Sequence, residues 1–206
     1  TGEEDVQQAL DALVAHDNMA PFISRLLIQR FTSSNPRPDY LWRVSQAWQT
    51  SSGNLEKVMK AILFDPEARA REEGEGIRGK VREPLIRMTH IIRAFAPADV
   101  SGRYGVSYGT LKNDLGQFAM SSPTVFNFYL PDYSPIGLLH DRDLVSPELQ
   151  IATSNNLLAT HNLLKETAFI GHSSRGIDYT EEIAMLDDTE TLIDHLDTLL
   201  TYGTLS

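Results

Sequence analysis

In at least six separate stretches of this chain apolar residues recur every three or four positions, and no stretch alternates apolar with polar as a half-buried strand must. Val6, Ala9, Leu10, Leu13 and Val14 fall at i, i+3, i+4, i+7 and i+8, one stripe along a helix. A second helix starts at Asn18 and Pro21, a capping residue and a first-turn proline, with Phe22, Ile23, Leu26, Leu27 and Phe31 as its buried side. Ser33-Ser34-Asn35-Pro36-Arg37-Pro38 ends it. A third carries Tyr40, Leu41, Val44, Ala47 and Trp48. Asn54 caps a fourth with Leu55, Val58, Met59, Ile62 and Leu63, stopped at Asp65-Pro66. The fold class that follows is all-α, a multi-helix array.

Further along, Pro84 opens a fifth helix with Leu85, Ile86, Met88, Ile91, Ile92 and Phe95, which cover more than one face and call for a second neighbouring layer. A shorter helix carries Tyr108, Leu111, Leu115 and Phe118. Ser146, Pro147 and Glu148 supply a cap, a first-turn proline and a dipole-matched acid for a helix of about twenty residues through Leu149, Ala152, Leu157, Leu158 and Leu164, the longest element expected. The last helix runs from Thr189 through Leu192, Ile193, Leu196, Leu199 and Leu200, with Gly203 at its C-terminal cap. Two segments break the helical rhythm. Residues 70–82 lose periodicity among glycines and mixed charges and read as a mobile surface loop. Residues 121–147 hold Pro123, Pro131, Pro135 and Pro147 with Phe126, Phe128, Tyr129 and Tyr133, and read as an ordered aromatic loop, because aromatics between turn-forming prolines pack onto a core. Residues 1–206 are taken as one helical domain.

Composition removes whole classes of function. The 206 residues contain no cysteine, so disulfide scaffolds, CxxC redox sites and thiolate zinc sites are impossible. A net charge of -10 leaves no basic surplus for a nucleic-acid footprint. No apolar run approaches the ~18 residues of a membrane span. Charge is nevertheless uneven: residues 69–93 hold seven basic residues, residues 178–197 hold eight acids, and nothing after Arg175 is basic. The two runs read as solvated helix faces, or alternatively as segments that dock on each other or on a charged partner.

Few motifs carry chemistry. Gly105-Val106-Ser107-Tyr108-Gly109 matches the nucleophile-elbow pattern, with Asp132 and His140 following in the order a hydrolase needs. The elbow requires a buried strand just before it, and residues 97–103 are no such strand, so a glycine-rich turn is the better reading. Six histidines include no pair at i, i+4 and no HExxH, and the run His140-Asp141-Arg142-Asp143 holds an arginine that repels a cation, so neither a metal nor any other cofactor is expected. What remains is a polar set around the aromatic loop: Arg82 and Glu83 before the fifth helix, Asn127, Asp132 and Tyr133 within the loop, and Glu148 after it. Asn127, between Phe126 and Phe128, is expected to be buried and to bond the loop's own backbone in preference to a ligand.

Several strings together resemble a known family. They are Leu13-Val14-Ala15-His16, Ala20-Pro21-Phe22-Ile23-Ser24-Arg25, Ser33-Ser34-Asn35-Pro36, Ala61-Ile62-Leu63-Phe64-Asp65-Pro66-Glu67-Ala68-Arg69, Arg82-Glu83-Pro84, residues 122–133 (SPTVFNFYLPDY) and Ser146-Pro147-Glu148-Leu149-Gln150-Ile151. In order and spacing they resemble the C-terminal half of the bacterial domain of unknown function 1800 family. The region 102–109 lies outside this motif set.

The resemblance implies an exported, largely helical protein about twice this length, without an assigned activity. It implies an N-terminal half bearing Trp-His-Asn-His-type and Asn-Glu-Asn-type strings, neither of which occurs here, and often a sulfatase-like exported protein encoded alongside. It thus implies a periplasmic or secreted location and a chain that is the C-terminal part of a larger protein. The function expected is a non-catalytic helical module that packs on its own N-terminal half or another polypeptide. The alternative is half of an enzyme, carbohydrate or small-ligand site completed by that half. An apolar surface awaiting a second polypeptide is expected, with the fifth helix as its bearer.

Overall fold

A computed structural model of the protein describes residues 1–70, 79–95, 108–166 and 178–205. These residues form eleven α-helices and one 3-10 turn, and hold no β-strand beyond an isolated bridge between Thr124 and Asn127. The all-α expectation is met. The chain divides into two units, Thr1–Val81 with Pro131–Pro147, and Arg82–Leu130 with Glu148–Ser206, so the aromatic loop contributes to both.

In the first unit the helices are α1 (Gly2–Val14), α2 (Met19–Phe31), α3 (Pro38–Thr50), α4 (Leu55–Leu63), α5 (Pro66–Arg69) and α8 (Leu138–Asp141), while α6 (Pro84–Ala94) and α7 (Tyr108–Asn113) belong to the second unit. Its core is Ile28 of α2, Tyr40 and Val44 of α3, and Val58 and Ile62 of α4, all fully buried, with Leu27, Leu41, Trp48 and Met59 around them. The buried face of α2 differs from the one its large residues suggest. Ala20, Ser24 and Ile28, at i, i+4 and i+8, face inward while Phe22 and Phe31 are exposed. Small side chains at that spacing let neighbouring helices approach closely, and this outweighs the pull of the larger rings. Asn18 precedes α2 without a side-chain cap bond; its backbone N–H donates to His16 Nδ1 at 3.0 Å. Asn54 caps α4 as expected, accepting from the Lys57 N–H at 3.1 Å.

Polar clamps close this unit. Asn35 donates through Nδ2 to the Val145 carbonyl at 2.8 Å and accepts the Val145 N–H at 2.9 Å, so one amide side chain imitates a strand partner and pins residues 131–147. Gln29 donates to the carbonyls of Ser34 and Pro131. Of the segment expected to be a mobile loop, residues 71–78 lie outside those described; next to them the Gly79 carbonyl accepts from Ser34 and Lys80 donates to the Arg30 carbonyl.

The second unit holds α6 (Pro84–Ala94), α7 (Tyr108–Asn113), α9 (Ser154–Lys165), α10 (Thr180–Ala184) and α11 (Thr189–Thr201). Met88 and Ile92 of α6 meet Leu115 and Leu163 in its core, flanked by Leu85, Leu111 and Leu164. The long helix expected from Ser146 is broken. Pro147–Ile151 is a 3-10 turn, the chain then turns out at Ala152, and Thr153 starts α9 anew, its hydroxyl accepting from the Asn156 N–H. A threonine at this point offers the backbone a local acceptor that competes with a continuous helix. At 12 residues α9 is shorter than the four 13-residue helices α1, α2, α3 and α11. The last helix ends as expected, one residue apart: Tyr202 and Gly203 both take the left-handed conformation that stops it.

Candidate functional site

Glu83 stands just before α6, where the first-turn N–H groups have no partner within the helix. Its side chain does not cap them. Instead Gln117, itself buried, reaches across: its Oε1 accepts the Leu85 N–H at 3.0 Å and its Nε2 donates to Glu83 Oε2 at 2.9 Å. The Tyr129 hydroxyl donates to the same carboxylate oxygen at 2.6 Å, a short charge-assisted bond that holds the aromatic loop against the start of α6. Gln150 completes this tie by accepting the Leu130 N–H at 2.7 Å. A cavity of about 310 Å³ opens beside the cluster, with Glu83, Gln117, Asn127, Phe118 and Phe128 in its wall.

Of the six residues singled out in the sequence, Arg82, Glu83, Asn127 and Glu148 lie in the second unit, and Asp132 and Tyr133 in the first. Glu83 and Asn127 share the cavity just described. Asn127 is half-exposed, where burial was expected. With φ of 72° it is a turn residue: its N–H bonds the Thr124 carbonyl and its carbonyl accepts from the Thr124 hydroxyl. Asparagine is among the few residues that tolerate that backbone region, which explains an amide between two phenylalanines without any buried role. Asp132 is exposed, Tyr133 is half-buried with its carbonyl accepting from the Ser146 N–H, and Glu148 is buried at the 3-10 turn.

Arg82 turns the other way. Its guanidinium lies over the Tyr202 ring, 4.9 Å from the centroid, and Nη1 donates to His90 Nδ1. On the other side of the ring His90 Nε2 donates to the Leu199 carbonyl at 2.7 Å, one of the last carbonyls of α11 and without a partner in that helix. This contact between α6 and the end of α11 is made by a ring and a carbonyl, Tyr202 and Leu199, both of which lie beyond the acidic run at 178–197. The groove beside this relay has a volume of about 350 Å³ and is lined by Arg82, Thr89, His90, Arg93 and Tyr202 with apolar neighbours.

The sequence gives no signal for the roles of Gln117, Tyr129, His90 and Tyr202 here, because their partners sit 8 to 120 positions away. Ser107 of the elbow pattern lies outside the described residues. Among the described residues no group of three or more His, Asp and Glu side chains is placed to hold a metal, and no helix is long and apolar enough to cross a membrane.

The family model of the protein of unknown function DUF1800 matches residues 1–206. The chain belongs to this family. No curated protein and no solved structure matches it. Most of the strings that carry the family resemblance prove to hold ties within one unit: Asn35 pins residues 131–147, Asp65 holds Arg43 and caps α5, and Glu83 gathers Gln117 and Tyr129.

Proposed function

We propose that this chain is a non-catalytic helical interaction module of an exported bacterial protein, and that α1 is the surface it offers to another polypeptide. The observation that carries the reading is that α1 is fully formed yet buries nothing. Its stripe of Val6, Leu10, Leu13 and Val14 is 60%, 50%, 61% and 59% exposed. The capping box between Thr1 and Glu4 defines its start, but a 13-residue helix is marginal in water on propensity alone. Docking the stripe removes apolar surface from water and supplies the missing stability. The fifth helix of the sequence, α6, is the weaker candidate, since only Ile86 among its large apolar residues is exposed.

The occupant is defined by charge. Around its stripe α1 carries Glu3, Glu4, Asp5 and Asp11 and no basic residue, so the fitting partner is an amphipathic segment with an apolar face and Lys or Arg on its flanks. The other half of a longer family member is the occupant we infer. The test mixes the chain with that half and follows co-elution by light scattering. Leu10→Glu is expected to abolish co-elution while far-ultraviolet circular dichroism stays helical. Absence of a complex, or a complex indifferent to Leu10→Glu, sinks the reading. The cavity shared by Glu83 and Asn127 favours the alternative of half a ligand or enzyme site. That reading requires Glu83→Gln to change an activity or ligand affinity of the longer protein without loosening its fold.

A further inference from the structure

We propose that the groove between α6 and α11 is a binding site for an oxyanion, carboxylate or phosphate, carried on a flat ring. The proposal goes beyond the interaction reading and uses none of the α1 residues. It starts from charge. The protein has 28 acidic and 18 basic residues, yet every charged side chain lining this groove is an arginine, Arg82 or Arg93. Neither has a carboxylate partner among the described residues, and Arg82 is half-buried. A guanidinium withdrawn from water without a counter-charge is costly, and an anion entering the groove removes that cost.

Geometry adds direction. Arg82 is held on one face by the Tyr202 ring and at Nη1 by His90, whose own orientation is fixed by the Leu199 carbonyl. A guanidinium fixed in this way keeps its remaining N–H donors in a preset fork, the arrangement that takes two oxygens of one anion at low entropic cost. Arg93 follows His90 by three residues on α6, one turn on and on the same face, and lines the same groove as Arg82. The remaining wall supplies the ring's complement. Ile86, Leu199 and the Tyr202 ring give an apolar floor, and about 350 Å³ accommodates one small aromatic acid rather than a polymer.

Isothermal titration of the intact chain tests this with three probes that share a ring: phenyl phosphate, benzoate and uncharged benzyl alcohol. One of the two anions is expected to bind saturably, and the alcohol not at all; the tighter anion identifies phosphate or carboxylate as the natural group. Arg82→Gln and Arg93→Gln are each expected to weaken that binding by about tenfold, the worth of one charge-assisted pair. Arg25→Gln, an exposed arginine on α2, is expected to leave it unchanged. If Arg82→Gln unfolds the chain, Arg93→Gln at its exposed position decides alone. No saturation by either anion below about 10 mM, equal binding of benzyl alcohol, or affinity unaltered by Arg93→Gln overturns the proposal.

Discussion

Asp65 and Arg43 meet through two parallel hydrogen bonds, Nε to Oδ2 at 2.7 Å and Nη2 to Oδ1 at 2.8 Å, while Oδ1 also accepts the Glu67 N–H at 2.8 Å. Burial alone would raise the Asp65 carboxyl. The Arg43 guanidinium and the Glu67 N–H more than offset this and hold it below its ordinary 3.8. A carboxyl lowered by folding contributes stability that is fully present above its unfolded value and lost as pH falls through the folded one. Asp65→Asn is therefore expected to cost about 2–3 kcal/mol in urea unfolding at neutral pH, and to flatten the decline in stability that the unmodified chain shows below about pH 4. A variant that loses stability equally at pH 7 and pH 3 contradicts this. The sequence shows Asp65 only as a helix stop before Pro66. Its arginine, 22 positions earlier, carries no local signal, and the same holds for Gln117 and Glu83. Asn127 fails for the opposite reason: its flanking rings suggest burial, while the backbone turn that demands asparagine leaves no mark in the pattern of hydrophobicity.

At the scale of elements, periodicity located the helices well because an amphipathic stripe is a property of each segment by itself. It did not say which residues on a stripe are covered, so α2 buries Ala20, Ser24 and Ile28 and leaves Phe22 out. Breaks were the least legible. The end of the 3-10 turn and the restart at Thr153 depend on Asn156, which donates to the Ile151 carbonyl at 3.0 Å and sits against Gly116. Gly116 has φ of +64°, and a Cβ placed there would stand 2.7 Å from Asn156 Nδ2. Gly116→Ala thus meets both backbone strain and a clash with a side chain already committed to a hydrogen bond. The expected loss is about 1–3 kcal/mol, with amide exchange accelerated first in the opening turn of α9. Gly79, whose φ is also positive but whose surroundings are open, provides the comparison: Gly79→Ala carries the backbone term without the clash, and is expected to cost less.

Over the whole molecule the sequence yields the helical class and the family, because both rest on patterns repeated along the chain. It yields the surfaces poorly, since an apolar stripe reads the same whether a neighbour covers it or not. Charge distinguishes the two ways in which α1 can satisfy its stripe. Should copies of this chain pair through it, four acids per copy face four acids, and added salt strengthens association by screening that repulsion. Should a basic-flanked partner dock, attraction between unlike charges speeds encounter, and salt weakens it. We expect the second behaviour: raising ionic strength from about 0.05 to 0.5 M shortens the Debye length from roughly 14 to 4 Å and lowers the association rate with the proposed basic-flanked partner severalfold, while the dissociation rate, set by burial of Val6, Leu10, Leu13 and Val14, changes little. Neutralising Glu3, Glu4, Asp5 and Asp11 together should remove the salt dependence and leave the dissociation rate in place. Stopped-flow measurement of both rates reads the outcome directly, and association that grows faster with salt would identify α1 as a contact between copies.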